Sequence, residues 1–337
     1  MREAPSAAAL AEGVLAGRRA VVARALTLVE SSRADHRAVA HELLELLAPH
    51  TGQAIRVGIS GVPGAGKSTF IDALGTRLIE QGHRVGVLAV DPSSSRSGGS
   101  ILGDRTRMAA LTASEDAFVR PSPSGCHLGG VARATREAMV VLEAAAFDVL
   151  IVETVGVGQS EVAVAGMVDT FLLLALARSG DQLQGIKRGI LELADVIAVN
   201  KADGDNLGES RVTARELAIA MKLMFSEDDG APPQVLTCSA RTGDGLPEVW
   251  QAVLDHRNQL LASGQLQQRR LDQQKQWMWA LVEDGLWRDF RDNPVLQQAS
   301  PQIEQALAAG ELGALEAAEK LLALSRNTAS TAPTTDA

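Results

Sequence analysis

The sequence predicts an α/β fold, a mostly parallel sheet covered by helices on both faces and extended by helices at either end. Three observations carry this expectation. Between residues 55 and 239, short apolar runs alternate with amphipathic stretches, and strands buried on both faces read as such unbroken apolar runs. A glycine-rich segment, "GVPGAGKST" (61–69), follows the first run and opens a helical stretch. Outside this region the apolar spacing is that of helices.

In chain order, residues 7–49 are rich in Ala and Leu. Val21, Ala25 and Leu28, then Ala38, Leu43 and Leu47, recur at helical intervals, which predicts two or three helices. The apolar runs follow: "IRVGIS" (55–60), "RVGVLAV" (84–90), "AFVR" (117–120), "DVLIVE" (148–153), "TFLLLAL" (170–176), "DVIAVN" (195–200) and "PQVLTCS" (233–239). Beyond about residue 264 strand signals vanish. "QQRRLDQQKQWMWALVEDGLWRDF" and "SPQIEQALAAGELGALEAAEKLLALS" read as helices joined near Asn293-Pro294, and the small polar residues 326–337 as a disordered tail. The expected division is an N-terminal helical extension (1–50), an α/β domain (51–262), a C-terminal helical arm (263–325) and the tail.

The chain has 337 residues, 46% apolar and 22% charged, with a net charge of −9. That balance argues against a general nucleic-acid or anionic-membrane surface. Cys126 and Cys238 lie far apart and match no metal spacing, the N-terminus is too polar for a signal peptide, and no run reaches about 18 apolar residues. A reduced cytoplasmic protein is expected.

Residues 61–69 fit G-x-x-x-x-G-K-[ST] in a strand–loop–helix setting. Gly61, Val62, Pro63, Gly64, Ala65 and Gly66 would turn backbone N–H groups toward phosphate oxygens, at a helix N-terminus whose dipole favours anions. Lys67 would hold the β- and γ-phosphates and Ser68 would ligate Mg²⁺, with Thr69 completing the loop. "NKAD" (200–203) ends the sixth run about 130 residues later. Asp203 can accept both donors of the guanine edge, a pair adenine lacks, while Asn200 and Lys201 brace the loop. After the seventh run, "CSA" (238–240) supplies Ser239 and Ala240, with Arg241 next, for the guanine oxygen. GTP is the expected nucleotide.

"DVLIVETVGVGQSE" (148–161) reads as the strand and loop that sense the γ-phosphate. Glu153 would reach Mg²⁺ through water or orient the attacking water, and the Gly156 N–H would meet the γ-phosphate. Gln159 is either a water-positioning residue or an exposed loop glutamine. Slow intrinsic hydrolysis that needs a partner is expected.

These segments, with "AVDPSSSRSGGSILGDRTRM" (89–108), "RPSPSGCHLGGVARATRE" (120–137), "GDQLQGIKRGILELADVIAVNKAD" (180–203) and "KQWMWALVEDGL" (275–286), together resemble the MeaB/ArgK family of G-proteins, called the methylmalonic aciduria type A protein in animals. The similarity runs from about residue 10 to 290. The resemblance implies a phosphate-loop fold of the dimerising branch that also holds the signal-recognition and nickel-insertion GTPases. It implies a chaperone of adenosylcobalamin-dependent acyl-CoA mutases, using GTP to gate cofactor delivery and removal, with the adenosyltransferase that supplies the cofactor as a further partner. Asp91 and Asp104, flanking a Ser/Gly-rich first switch, would join Glu153 around Mg²⁺ and the hydrolytic water. Asp181, Gln184 and Lys187 match the switch that addresses the mutase. Trp277, Trp279 and Trp287 fit a C-terminal dimerisation arm, or ordinary helix packing.

Two departures lie where partner contacts are expected. Ala177-Arg178-Ser179 stands where relatives have Pro-Gly-Ala, and "SGCH" (124–127) replaces Ser-Ser-Gly-Thr. Cys126 and His127 have no partner at ligand spacing, and Arg105 and Arg107 are candidates for arginine fingers or for salt bridges to switch acids. A nickel-insertion GTPase is the alternative function, but it calls for a His-rich tract or Cys/His cluster that the sequence lacks. A kinase is disfavoured by NKAD and by the want of a kinase catalytic loop.

Overall fold

The computed structural model describes residues 6–31, 33–90, 108–121, 128–154, 160–177, 188–225 and 231–329. Two units are distinguished, Met1–Gln273 and Gln274–Ala337.

The first unit opens with three helices, α1 (Ala7–Leu15), α2 (Arg19–Val29) and α3 (Ala34–Leu47). Their buried stripe differs in part from the expected one: Ala25, Leu43 and Leu47 are core, but Ala38 is exposed and Ala40 takes the inward position two residues on. The helical phase is set by packing on the sheet-covering helix behind it, which short runs of alanine do not encode.

Seven strands form one parallel sheet, β1 (Ile55–Gly61), β2 (Val85–Val90), β3 (Ala117–Arg120), β4 (Val149–Thr154), β5 (Thr170–Leu176), β6 (Val196–Asn200) and β7 (Gln234–Thr237). Their spatial order is β3-β2-β4-β1-β5-β6-β7, and every pairing is parallel. Each lies on an expected apolar run, with ends shifted by a residue or two. The strand order reverses at β1, with β2 to β4 on one side and β5 to β7 on the other. Ligands of open α/β sheets bind in the crevice at such a reversal, outside the carboxyl ends of the strands.

The connecting helices are α4 (Lys67–Glu80), α5 (Ala109–Ala113), α6 (Leu128–Ala144), α7 (Ser160–Ala165), α8 (Arg188–Leu191), α9 (Leu207–Met224) and α10 (Leu246–Ala262). Two apolar clusters cover opposite sheet faces. One joins α1–α3 and α6 to Leu150, Val152 and Phe171; the other joins α4 and α10 to Val57, Ile59, Ile151 and Leu172. A third fills the β6 side around Leu217 and Met221. Gly58 of β1 permits one close approach: a Cβ there would lie 2.8 Å from Val164 Cγ1 of α7 and 3.0 Å from the Phe171 ring.

Helix α11 (Gln265–Asp292) is followed by α12 (Pro294–Ala308) and α13 (Ala314–Ala329). The stretch expected as one helix after Pro294 is thus two, because Gly310 turns the chain at φ +75°. Asn293 caps α12 by accepting the Val295 N–H at 2.9 Å. The final helix runs past Arg326, into the segment expected to be a tail. In the second unit Leu296 and Ala317 are buried, whereas Trp279 and Trp287 are 61% exposed. Among the described residues no helix is long and apolar enough to cross a membrane.

Candidate functional site

The glycine-rich loop sits at the carboxyl end of β1, the central strand at the reversal. Gly64 and Gly66 take φ of +82° and +86°, a left-handed conformation that L side chains avoid. A Cβ on Gly61 would meet the Leu174 carbonyl oxygen at 2.3 Å, and one on Gly66 would meet Asn200 Nδ2 at 2.9 Å. The loop is therefore built on contacts that only glycine tolerates. Ala65 is buried beneath it, while Pro63, Gly64 and Thr69 are exposed and Val62 and Ser68 are half-buried.

Lys67 opens α4 and donates from Nζ to the Gly61 carbonyl at 2.8 Å. Burial pulls its pKa below the ordinary lysine value, against the charges of Glu153 and Glu161, which hold it up. Ser68 donates to Glu153 Oε1 at 3.2 Å, and Glu153, the last residue but one of β4, is buried. A hydroxyl and a buried carboxylate this close are the hard oxygen donors that Mg²⁺ takes, so the residues present fit that ion. Ser60 and Thr154, the neighbours on β1 and β4, join their hydroxyls at 2.9 Å.

The second loop follows β6. Asn200 Nδ2 donates to the Ala65 carbonyl at 2.8 Å, and Asn200 Oδ1 accepts the Ala240 N–H at 3.0 Å and the Cys238 thiol at 3.8 Å. One side chain thus ties the glycine loop to the segments after β6 and β7. Lys201 has φ +62°, and its Cε lies 3.8 Å from the place a Gly66 Cβ would take. Asp203 is held from behind, Ser239 donating to its Oδ2 at 2.6 Å, while Arg241 is exposed. The Cys238 thiol is pushed up to about 12 by burial, so it stays protonated and serves as a donor.

A family model described as methylmalonyl-CoA mutase-associated GTPase MeaB matches residues 22–295. The chain belongs to the MeaB family of GTPases. A probable GTPase of Mycobacterium tuberculosis is 56% identical over 319 residues, covering 95% of each chain. GTPase ArgK of Escherichia coli is 49% identical, over 80% of this chain and 81% of its own. The mitochondrial methylmalonic aciduria type A homolog of Mus musculus is 46% identical, over 92% of this chain and 77% of its own. A crystal structure titled LAO/AO transport system kinase superposes with a TM-score of 0.73 at 38% identity, covering 95% of this chain and 98% of that one. The fold of this MeaB-family GTPase is accordingly the expected phosphate-loop α/β fold.

The structure gathers Gly61 to Thr69, Glu153, Asn200, Lys201, Asp203, Ser239, Ala240 and Arg241 along one edge of the sheet. Asp91, Arg105, Arg107, Asp104, Cys126, His127, Gly156, Gln159, Asp181, Gln184 and Lys187 lie outside the described residues. Sequence reasoning missed two contributors. Cys238 was read only as part of a backbone element, although its place beside Ser239 in "CSA" puts it next to the Asn200 amide. Glu161 stood at the end of a quoted motif without a role; it is buried, and its charge opposes the downward shift of Lys67.

Proposed function

We propose that this GTPase binds GTP and Mg²⁺ at the glycine-loop edge and hydrolyses GTP slowly to GDP and phosphate. On this reading it is a chaperone that gates adenosylcobalamin loading, protection and reactivation on a methylmalonyl-CoA mutase or closely related acyl-CoA mutase. The partner stimulates hydrolysis, the adenosyltransferase is a further partner, and the working form is a cytoplasmic homodimer.

The observation that carries the nucleotide assignment is Asn200, which bonds Ala65 in the phosphate loop and Ala240 behind the base site at once. The glycine loop and the segment after β7 are thus tied through one side chain, and Ser239 holds Asp203, which supports the reading that Asp203 takes the two guanine donors. The mutase assignment rests on the MeaB family description and on relatives that carry the methylmalonic aciduria name.

In the proposed mechanism Lys67 leaves the Gly61 carbonyl for the β- and γ-phosphates and neutralises charge that builds between them. Ser68 and Glu153, with Asp91 and Asp104, would hold Mg²⁺, which would supply charge to polarise the phosphate oxygens. Glu153 would orient the attacking water, and the Gly156 N–H would receive the γ-phosphate. Asp181, Gln184 and Lys187, matched by the family resemblance, would address the mutase. In the second unit, exposed Trp279 and Trp287 are the kind of aromatic anchors that concentrate binding energy at an interface, in support of the dimer.

The test is GTP turnover by the pure protein, alone and with apo- or holo-mutase. Stimulation by a cobalamin mutase is expected; a protein that neither binds such a mutase nor changes its turnover with one would sink the chaperone reading.

A further inference from the structure

Helix α9 (Leu207–Met224) connects β6 to β7 and turns Ser210, Leu217 and Met221 into the core. Its opposite face is apolar as well. Val212, Ile219 and Leu223 are 53%, 60% and 83% exposed. At about 100° per residue they fall within about 40° of one another around the helix, in a stripe about 16 Å long. Solitary exposed apolar residues are ordinary, whereas a contiguous row of them marks a surface that another surface covers.

Charge is sorted across this face. On one flank of the stripe Arg211, Arg215 and Lys222 form a basic row, and on the other Glu209 and Glu216 form an acidic row, every one of them exposed. Arg211 and Arg215 stand four residues apart with like charges, an arrangement that weakens an isolated helix. A face of one sign would call for an oppositely charged partner. A face with opposite signs on its two flanks can complement itself.

We propose that α9 is a self-pairing surface: two copies of this chain meet through their α9 helices, side by side and parallel, about a two-fold axis that runs along the stripe. That axis sets each apolar residue against its own copy and brings the basic row of one helix to the acidic row of the other. In register, Arg215 is one residue, about 1.5 Å along the axis, from the level of Glu216 in the second copy. Arg211 is two residues, about 3 Å, from the level of Glu209. An antiparallel pairing would instead set basic row against basic row. Three apolar side chains per copy fall well short of the roughly 1,200 Å² of a stable interface, so the pairing is weak and reversible. It uses the first unit alone, and rests neither on the nucleotide nor on the aromatic residues of the second unit.

Disulfide trapping in the full-length protein carrying Cys126→Ser tests it, since Cys238 is buried. Val212→Cys and Leu223→Cys should each cross-link to its own kind under mild copper-phenanthroline oxidation. Each should do so about tenfold faster than Ala38→Cys, a control at an exposed position of α3. In an antiparallel pair those two positions would stand about 16 Å from their own copies, beyond disulfide reach, and would face each other. Arg215→Glu should slow trapping at Leu223→Cys about fivefold, and adding Glu216→Arg should restore it to within about twofold. Trapping no faster than the control would leave the stripe to a different protein and overturns the self-pairing. Trapping found only in a mixture of the Val212→Cys and Leu223→Cys proteins overturns the parallel arrangement. So does a rate that Arg215→Glu leaves unchanged, or that Glu216→Arg does not restore.

Discussion

At the scale of single residues, the site depends on side chains whose partners are other parts of the site. Asp203 shows this: its carboxylate is fixed by Ser239 at 2.6 Å, so it is pre-positioned before any base arrives. Asp203→Ala should weaken GTP and GDP binding by roughly 100-fold or more, since charge-assisted hydrogen bonds contribute about 1.5–3 kcal/mol each; calorimetry showing unchanged affinity would remove the guanine assignment. Gly66→Ala puts a Cβ 2.9 Å from Asn200 Nδ2 at φ +86°. It should abolish most nucleotide binding with only a modest change in melting temperature, because the displaced group is a side-chain amide at the sheet edge. Retained affinity in that variant would mean that the Asn200–Ala65 tie is not needed.

At the scale of elements, the amino-terminal edge of the sheet carries a buried polar layer where α10 and α11 meet β5 and β6. His256 of α10 lies there, its Nδ1 2.9 Å from Thr170 Oγ1 and its Nε2 3.4 Å from Asp195. Burial depresses its pKa from the ordinary 6.5, with Asp195 opposing and Arg269 adding to the shift. Above 6.5 both folded and unfolded forms are neutral, and the contribution is complete. As pH falls through the depressed folded value, the unfolded chain has already taken up the proton, so stability declines. Urea unfolding at pH 7.5 and at about pH 5.5 should show a loss in wild type that is smaller in His256→Gln. An equal loss in both would assign the effect to other groups.

At the scale of the whole molecule, the proposed assembly makes its own demand. Trp279 and Trp287, both exposed at 61%, should lie in the interface if the second unit is a dimerisation arm. Trp279→Glu with Trp287→Glu should then shift the protein from dimer to monomer in sedimentation analysis, while the isolated nucleotide site keeps its GTP affinity. A dimer that survives both charges excludes these aromatics as anchors.

Much of this molecule was legible in residue order. Parallel strands buried on both faces must be continuously apolar, so the runs at 55–60, 170–176 and 195–200 marked β1, β5 and β6 directly. The glycine loop was equally plain, since close approach of backbone to Leu174 and to Asn200 excludes a Cβ. What residue order left open depends on contacts between distant segments. Helical spacing alone could not choose Ala40 over Ala38, nor see that Gly310 divides the last helical stretch. Cys238 and Glu161 acquired roles only when the sheet order brought β7 beside β6 and set α7 against β1. The pairing of Arg270 with the buried Asp169 joins residues about a hundred positions apart, with no motif to announce it. The sequence by itself determined the fold class and the glycine-rich loop, because those follow from local backbone geometry and from burial along each strand, and it showed the family through its resemblance in shared motifs. Tertiary structure decided which charges are buried together, because a desolvated carboxylate and its guanidinium are paired by chain topology and not by spacing.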